Sequence, residues 1–141
     1  DAAQETFLRA WQNLSAYRPH TSLRNWLYRI AVNAATDMLR RERRILPGDI
    51  EEMNLTDGRP GLESLVTRQE RTTVVQQAVL SLPDASRAVL VLREYEGLSY
   101  HEISSTLDIP LGTVMSRLSY ARNLLKTALR PHLSLLEVEH V

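Results

Sequence analysis

Apolar residues recur at helical spacing through most of the chain, with one long interruption. Phe7, Trp11 and Leu14 stand at i, i+4 and i+7 near the start, the spacing of one helix face. Leu23, Leu27, Ile30, Ala34 and Met38 fall within a stripe of roughly 80° when wound at about 100° per residue. Beside it, Trp26, Arg29, Asn33, Asp37, Arg40 and Arg44 form a second stripe of roughly 80°, so Leu23 to Arg44 is predicted to be one long helix. Residues 45–70 then lose the pattern until Leu62 and hold Pro47-Gly48, Pro60-Gly61 and the acids Asp49, Glu51 and Glu52. That is the composition of a flexible, acidic linker. Beyond it, Val74, Val75, Ala78, Val79 and Leu82 make an apolar face closed by Pro83. Asp84 is expected to cap the next helix, which carries Ala88, Val89, Leu92 and Tyr95 inward until Gly97 ends it.

The stretch from Leu98 to Arg122 is the most explicit. Ser99 and Glu102 stand three apart, as in a capping box, and Leu98 and Ile103 occupy the positions of a hydrophobic staple. A short helix with Ile103 and Leu107 on one face is stopped at Asp108-Ile109-Pro110, because the residue before a proline is pushed out of the helical region. Pro110 then suits the first turn of a second helix. In that helix Val114, Leu118, Ala121, Leu125 and Ala128 face inward, while Thr113, Ser116, Arg117 and Tyr120 fall together on the other side. Two helices joined by a tight turn form a helix-turn-helix, whose second member lies in the DNA major groove in many proteins. An ordinary helical hairpin with a solvated face fits the same residues.

Charge sharpens this picture. The chain of 141 residues has a formal net charge of zero, yet the charge is unevenly placed. Residues 1–44 hold eight arginines against four acids, a balance of +4. Residues 45–70 hold two against six, a balance of −4. Residues 71–130 hold seven basic side chains against five acids, a balance of +2. Two basic modules on an acidic connector are implied. On the long helix, arginines can neutralise phosphate, Trp26 can stack on an unpaired base and Asn33 can read a base edge. A solvated, charged helix face remains the alternative, and Asp37 is expected to orient Arg40 or Arg41 one turn away.

Several motifs together resemble one family. Leu82-Pro83, Arg87, Val89-Leu90, Leu92-Arg93, EGLSYHEIS and IPLGTVMSRLSYAR resemble region four of bacterial RNA polymerase sigma factors, the extracytoplasmic-function group above all. ETFLRAW, YRP and LRNWLYRIAVNAATDMLRRERR resemble region two of the same group. The resemblance implies an all-α protein: residues 1–44 as region two, 45–70 as linker, 71–130 as region four, and 131–141 as a tail of unassigned role. It implies a further helix before Asp1, so the sequence is expected to be a piece of a longer protein. It implies that Asp1, Gln4 and Glu5 grip the clamp helices of RNA polymerase core, whose flap is a second contact. Tyr17, Arg18, His20 and Ser22 are implied to hold a flipped promoter base. Trp26, Arg29, Asn33, Arg40, Arg41 and Arg44 are implied to read the −10 element. Gly112, Thr113, Met115, Ser116, Arg117, Tyr120 and Arg122 are implied to read −35 duplex, although the family usually has a basic residue at the position of Met115 and often another at that of Tyr120. The family usually has glycine where Asp108 stands, but aspartate tolerates a left-handed conformation better than most residues. An anti-sigma protein that covers these surfaces is a further implied partner.

No cysteine is present and the four histidines are scattered, so no thiolate, disulfide or metal-ligand pattern is read. No catalytic constellation and no phosphate-cradling glycine loop is found, which points away from an enzyme and from a cofactor. No apolar run approaches the ~20 residues of a membrane span, and the expected location is the cytoplasm. Two rival readings stay open on the residues alone. One is a dimeric helix-turn-helix regulator with a palindromic site, and the other is a module whose basic helices serve a protein partner.

Overall fold

The computed structural model describes residues 1–18, 22–45 and 68–133. Expectations for Pro19, His20 and Thr21, for most of the linker and for most of the tail lie outside the described residues. Among the described residues all regular structure is helical, as the periodicity predicts. The helices are α1 (Ala2–Gln12), α2 (Leu23–Ile45), α3 (Arg68–Leu80), α4 (Asp84–Glu94), α5 (Tyr100–Leu107) and α6 (Leu111–Leu129). Single 3-10 turns cover Leu14–Ala16 and Arg130–His132.

Helix α1 packs along α2, but not through its largest apolar side chains. Thr6 and Ala10 are buried, while Phe7 and Trp11 are 67% and 77% exposed. Small residues at the contact let the two backbones approach, and Ala34 of α2 is wholly buried. The Thr6 hydroxyl donates to the Ala2 carbonyl at 2.6 Å, so its burial leaves no unmet polar group. Arg9 fastens the pair, with 3.0 Å contacts to both Glu5 and Asp37. This corrects the expectation for Asp37. Its carboxylate turns across to α1 rather than along α2, and Arg41 reaches only the Asp37 backbone carbonyl, at 3.4 Å.

The second half is built around Leu82, Val89, Leu90, Leu92, Leu98, Ile103, Val114, Leu118 and Ala121, none more than 2% exposed. Each large side chain buried this way contributes about 1.5–3 kcal/mol. Helices α4 and α5 both pack on α6 and on each other. Asp84 does not cap α4 as expected. Pro83 is the cap residue, without a side-chain bond, and Asp84 sits one position inside. Its carboxylate accepts from Arg87 at 3.0 Å and Arg40 at 2.9 Å. Charge-assisted bonds of this kind are stronger than those to a neutral backbone amide.

The helix-turn-helix follows its sequence signals closely. Glu102 N–H donates to Ser99 Oγ at 3.1 Å, and Ser99 N–H donates to Glu102 Oε1 at 2.9 Å. This reciprocal cap starts α5. The helix ends with Asp108 in the left-handed region, at φ 54° and ψ 53°. Ser104 then ties off the turn: its carbonyl accepts from Ile109 N–H at 3.1 Å and its hydroxyl donates to the Ile109 carbonyl at 2.5 Å. Pro110 caps α6 in an extended conformation.

The two halves are in contact. Helix α2 packs against α5, and Tyr28 and Val32 lie on the core of the second half. Ser99→Ala should lower stability by about 1 kcal/mol, since it removes the cap of α5. Asp108→Gly should raise it by up to about 1 kcal/mol by relieving the left-handed strain. Urea unfolding of the three proteins checks both signs.

Candidate nucleic-acid interface

The polar stripe of α2 begins at an aromatic pair. The Tyr17 and Trp26 rings lie 5.3 Å apart at 59°, with Trp26 half-buried. Ser22 Oγ accepts from Asn25 N–H at 3.4 Å at the start of the helix, as an N-cap does. Arg29, Asn33 and Arg44 follow along α2, all exposed, and Arg18 is exposed beside Tyr17, whereas Arg41, also exposed, lies on the α1 side of the helix by Asp1 and Glu5. His20 lies outside the described residues. Arg40 differs from the rest because Asp84 holds it at 2.9 Å. The stripe therefore presents two ring faces, an amide and several guanidiniums on one side of a rigid helix. Such groups stack on unpaired bases and neutralise their phosphates.

In α6 the exposed face is centred differently from the sequence expectation. Thr113 and Arg117 are half-buried at its edge, while Gly112, Met115, Ser116, Ser119, Tyr120 and Asn123 face solvent. Ser119 and Asn123 went unnoticed in the sequence, although they follow Met115 and Ser116 by one and two turns. An open groove of about 300 Å³ runs past Tyr100, Met115, Ser119, Arg122, Asn123 and Lys126. Arg122 is bound at the groove edge by Glu94, at 2.6 Å. Glu94 therefore competes with any phosphate for this guanidinium.

At the start of α1, Asp1 accepts from Gln4 N–H at 2.8 Å, and the Gln4 side chain reaches back to close a capping box. Glu5 is engaged by Arg9. Asp1 and Glu5 share an open groove with Met38, Arg41 and Glu42 of α2. Among the described residues, no group of three or more His, Cys, Asp or Glu comes together to hold a metal. No described helix is long and apolar enough to cross a membrane.

Asp84 is the most loaded carboxylate here. Burial pushes its carboxyl up, but hydrogen bonds from Arg40 and Arg87 outweigh that and hold it below the usual carboxylate value. Arg43 adds a third guanidinium at 3.6 Å. Glu102 is lowered too, first by the Ser99 backbone N–H and then by the Ser99 hydroxyl.

A helix-turn-helix beside a long basic helix is an all-α architecture found in many DNA-binding proteins. The comparisons make the family specific. The model described as "Sigma-70 region 2" matches residues 1–45, and "Sigma-70, region 4" matches residues 73–125. The RNA polymerase sigma-H factor of Pseudomonas aeruginosa is 37% identical over 140 residues, covering 93% of this chain and 72% of that protein. The ECF RNA polymerase sigma-E factor of Escherichia coli is 36% identical over 140 residues, covering 93% and 73%. A solved sigma factor RpoE, in complex with the anti-sigma factor NepR from Bartonella quintana, shares the fold. It has a TM-score of 0.61 at 22% identity, covering 92% of this chain and 79% of that one. The chain belongs to the extracytoplasmic-function sigma factors of bacterial RNA polymerase. Members of this family are transcription initiation factors, not enzymes: they bind the polymerase core and direct it to promoters.

Because the Asp84 carboxyl is lowered in the folded protein, its contribution is complete above the unfolded value of about 4. It is lost as pH falls through the lower folded value. Asp84→Asn should cost about 2 kcal/mol at pH 7, and that difference should shrink and then vanish as pH falls through the lowered folded value. Urea unfolding of both proteins across pH checks the sign.

Proposed function

We propose that promoter recognition is divided between the two faces just described. The α2 stripe, with Tyr17, Arg18, Ser22, Trp26, Arg29, Asn33, Arg40 and Arg44, traps the opened −10 strand, and Arg41 adds a guanidinium from the neighbouring side of the helix. His20 belongs to the same set by its place in the loop. The N-terminal part of α6 reads −35 duplex through Gly112, Thr113, Met115, Ser116, Arg117 and Tyr120, with Ser119 added by its position and Arg122 at the edge. Residues 1–44 and 71–130 act as the two recognition modules, and 45–70 connects them. Asp1, Gln4 and Glu5 lie on the side of α1 that meets the polymerase clamp helices, and the second half meets the flap. The protein works in the cytoplasm, where polymerase and promoter are. An anti-sigma protein that covers these surfaces is its regulator, as NepR is a partner of the Bartonella quintana sigma factor.

The observation that carries this reading is the separation of roles on α2. One side packs on α1 and another on α5, while Arg29, Asn33 and the exposed edge of Trp26 remain on a third. An aromatic pair and an amide set among arginines suit an unpaired strand better than a protein partner. Met115 stands where a cation would meet phosphate, so the −35 contact is weaker in this chain than a basic residue would make it.

The test is transcription in vitro with core polymerase. Trp26→Ala combined with Asn33→Ala should reduce promoter-specific transcripts roughly 10- to 100-fold, the effect of losing a stacked base and an edge contact. Undiminished transcripts would contradict the assignment. Met115→Arg should tighten binding to −35 duplex and steepen its salt dependence by about 0.9 in log–log slope, one added phosphate contact. Titrations at several salt concentrations check this.

A further inference from the structure

Helix α6 turns surfaces of different charge outward. Val114, Leu118 and Ala121 are buried and fix the direction of the core. At about 100° per residue, Gly112, Ser116, Ser119, Tyr120 and Asn123 fall in a strip roughly 100° wide on the opposite side. All five are exposed, and none of them is charged. The cations of the helix stand on its flanks. Arg122 and Lys126 share one flank with Met115, along the open groove described above. Arg117 stands on the other and is half-buried. Arg122 is further restrained, because Glu94 Oε1 accepts from both its Nε and its Nη2, at 3.2 and 2.6 Å.

A helix about 10–12 Å in diameter fills the major groove, which is about 12 Å wide. Its flanks then meet the two phosphate walls, and its outermost strip meets the base edges. Phosphate contacts position such a helix, and base contacts choose the sequence. In this chain the cations are placed for phosphate, while the strip that meets the bases holds neither a guanidinium nor an ammonium group. Guanine is read most often by arginine or lysine reaching both O6 and N7. A phenol has a single O–H to donate and cannot make that two-pronged contact. Tyr120 offers a ring instead, 53% exposed, and an apolar surface suits the 5-methyl group of thymine. Asn123 carries an amide that can pair with both N6 and N7 of adenine. The two residues are about 4.5 Å apart along the helix axis, close to the ~3.4 Å step between base pairs. Ser116 and Ser119 suit either class of pair, and the Ser116 hydroxyl already donates to the Thr113 carbonyl at 3.2 Å.

We propose that this chain selects its −35 element by A·T pairs and without a guanine contact. The Tyr120 ring lies on a thymine methyl, and the Asn123 amide reads an adenine in a neighbouring pair. The inference rests on α6 as the reader of −35 duplex, proposed above, and adds Asn123 and the class of base pair to it.

The test is selection by the full chain, at low salt, from a pool of duplexes with a randomised core. Adjacent A·T pairs should be enriched. Replacing the thymine that faces Tyr120 by deoxyuridine removes its methyl and should weaken wild-type binding about fourfold. The same replacement should leave binding by Tyr120→Ala unchanged. Tyr120→Arg should select a G·C pair at that position, favoured roughly tenfold over A·T. Asn123→Ala should lose the adenine preference at the neighbouring position and keep the rest. Both side chains are exposed, so helix content by circular dichroism should not change. Guanine enriched at positions where Tyr120→Ala or Asn123→Ala removes the preference overturns the inference and leaves α6 as the duplex reader. So does deoxyuridine that binds as well as thymine. Selected sites that no substitution in α6 alters, or no enrichment at all, overturn α6 as the reader and the inference with it.

Discussion

A buried guanidinium ties the helices of this protein together. Arg87 is 6% exposed and donates to the carbonyls of Leu80 and Leu82 at 3.2 and 2.6 Å, where α3 has ended. Its third bond goes to Asp84 at the start of α4, and Asp84 passes the connection on to α2 through Arg40. The turn between α3 and α4 is held at one point, and the position of α4 against α6 depends on that turn. Losing the carboxylate of this part-buried pair should cost about 2 kcal/mol, because the charged hydrogen bonds to Arg87 and Arg40 go with it. The rest of the second half is local: a reciprocal cap, one left-handed residue and a proline place α5 across α6.

The same helix, α2, serves three surroundings at once. One side lies on the small residues of α1, one on α5, and one presents rings, an amide and arginines to solvent. A helix can do this because its residues return to the same side every third or fourth position, leaving about 100° for each role. The charge pattern follows this division. Arginine at the border between two sides, as at Arg40, can bind either an acid of the protein or a phosphate. Each recognition surface alone is modest, and joining two raises the effective concentration of one when the other has bound.

What the sequence disclosed was local in origin. The cap at Ser99 and Glu102, the limits of α2 and the apolar faces of α4 and α6 depend on neighbours within one or two turns. Each was readable from spacing. What it hid depends on partners far along the chain. Asp84 looked like a cap, yet three arginines, two of them from α2, claim its carboxylate. Asp37 looked like a partner for its own helix, yet Arg9 lies opposite it. Phe7 and Trp11 follow helical spacing, but Thr6 and Ala10 make the contact, because close approach of two helices favours small side chains. The third side of α2, with Arg24, Tyr28 and Val32, is neither strongly apolar nor strongly charged and gives no periodic signal. In α6 the exposed face was read one step too far round. Arg117 is chemically suited to DNA but lies half-buried at the edge, while Ser119 and Asn123 are bland in composition and central in position.

The central claim is that one chain reads two separate promoter elements with two helices. Its most direct measurement is site-specific photocrosslinking from positions 26 and 120 in complexes of the protein, core polymerase and promoter DNA. The account predicts that position 26 labels one strand near −10, only when that strand is open, and that position 120 labels duplex about 25 base pairs upstream. Crosslinks from both positions to the same segment of closed duplex would contradict it.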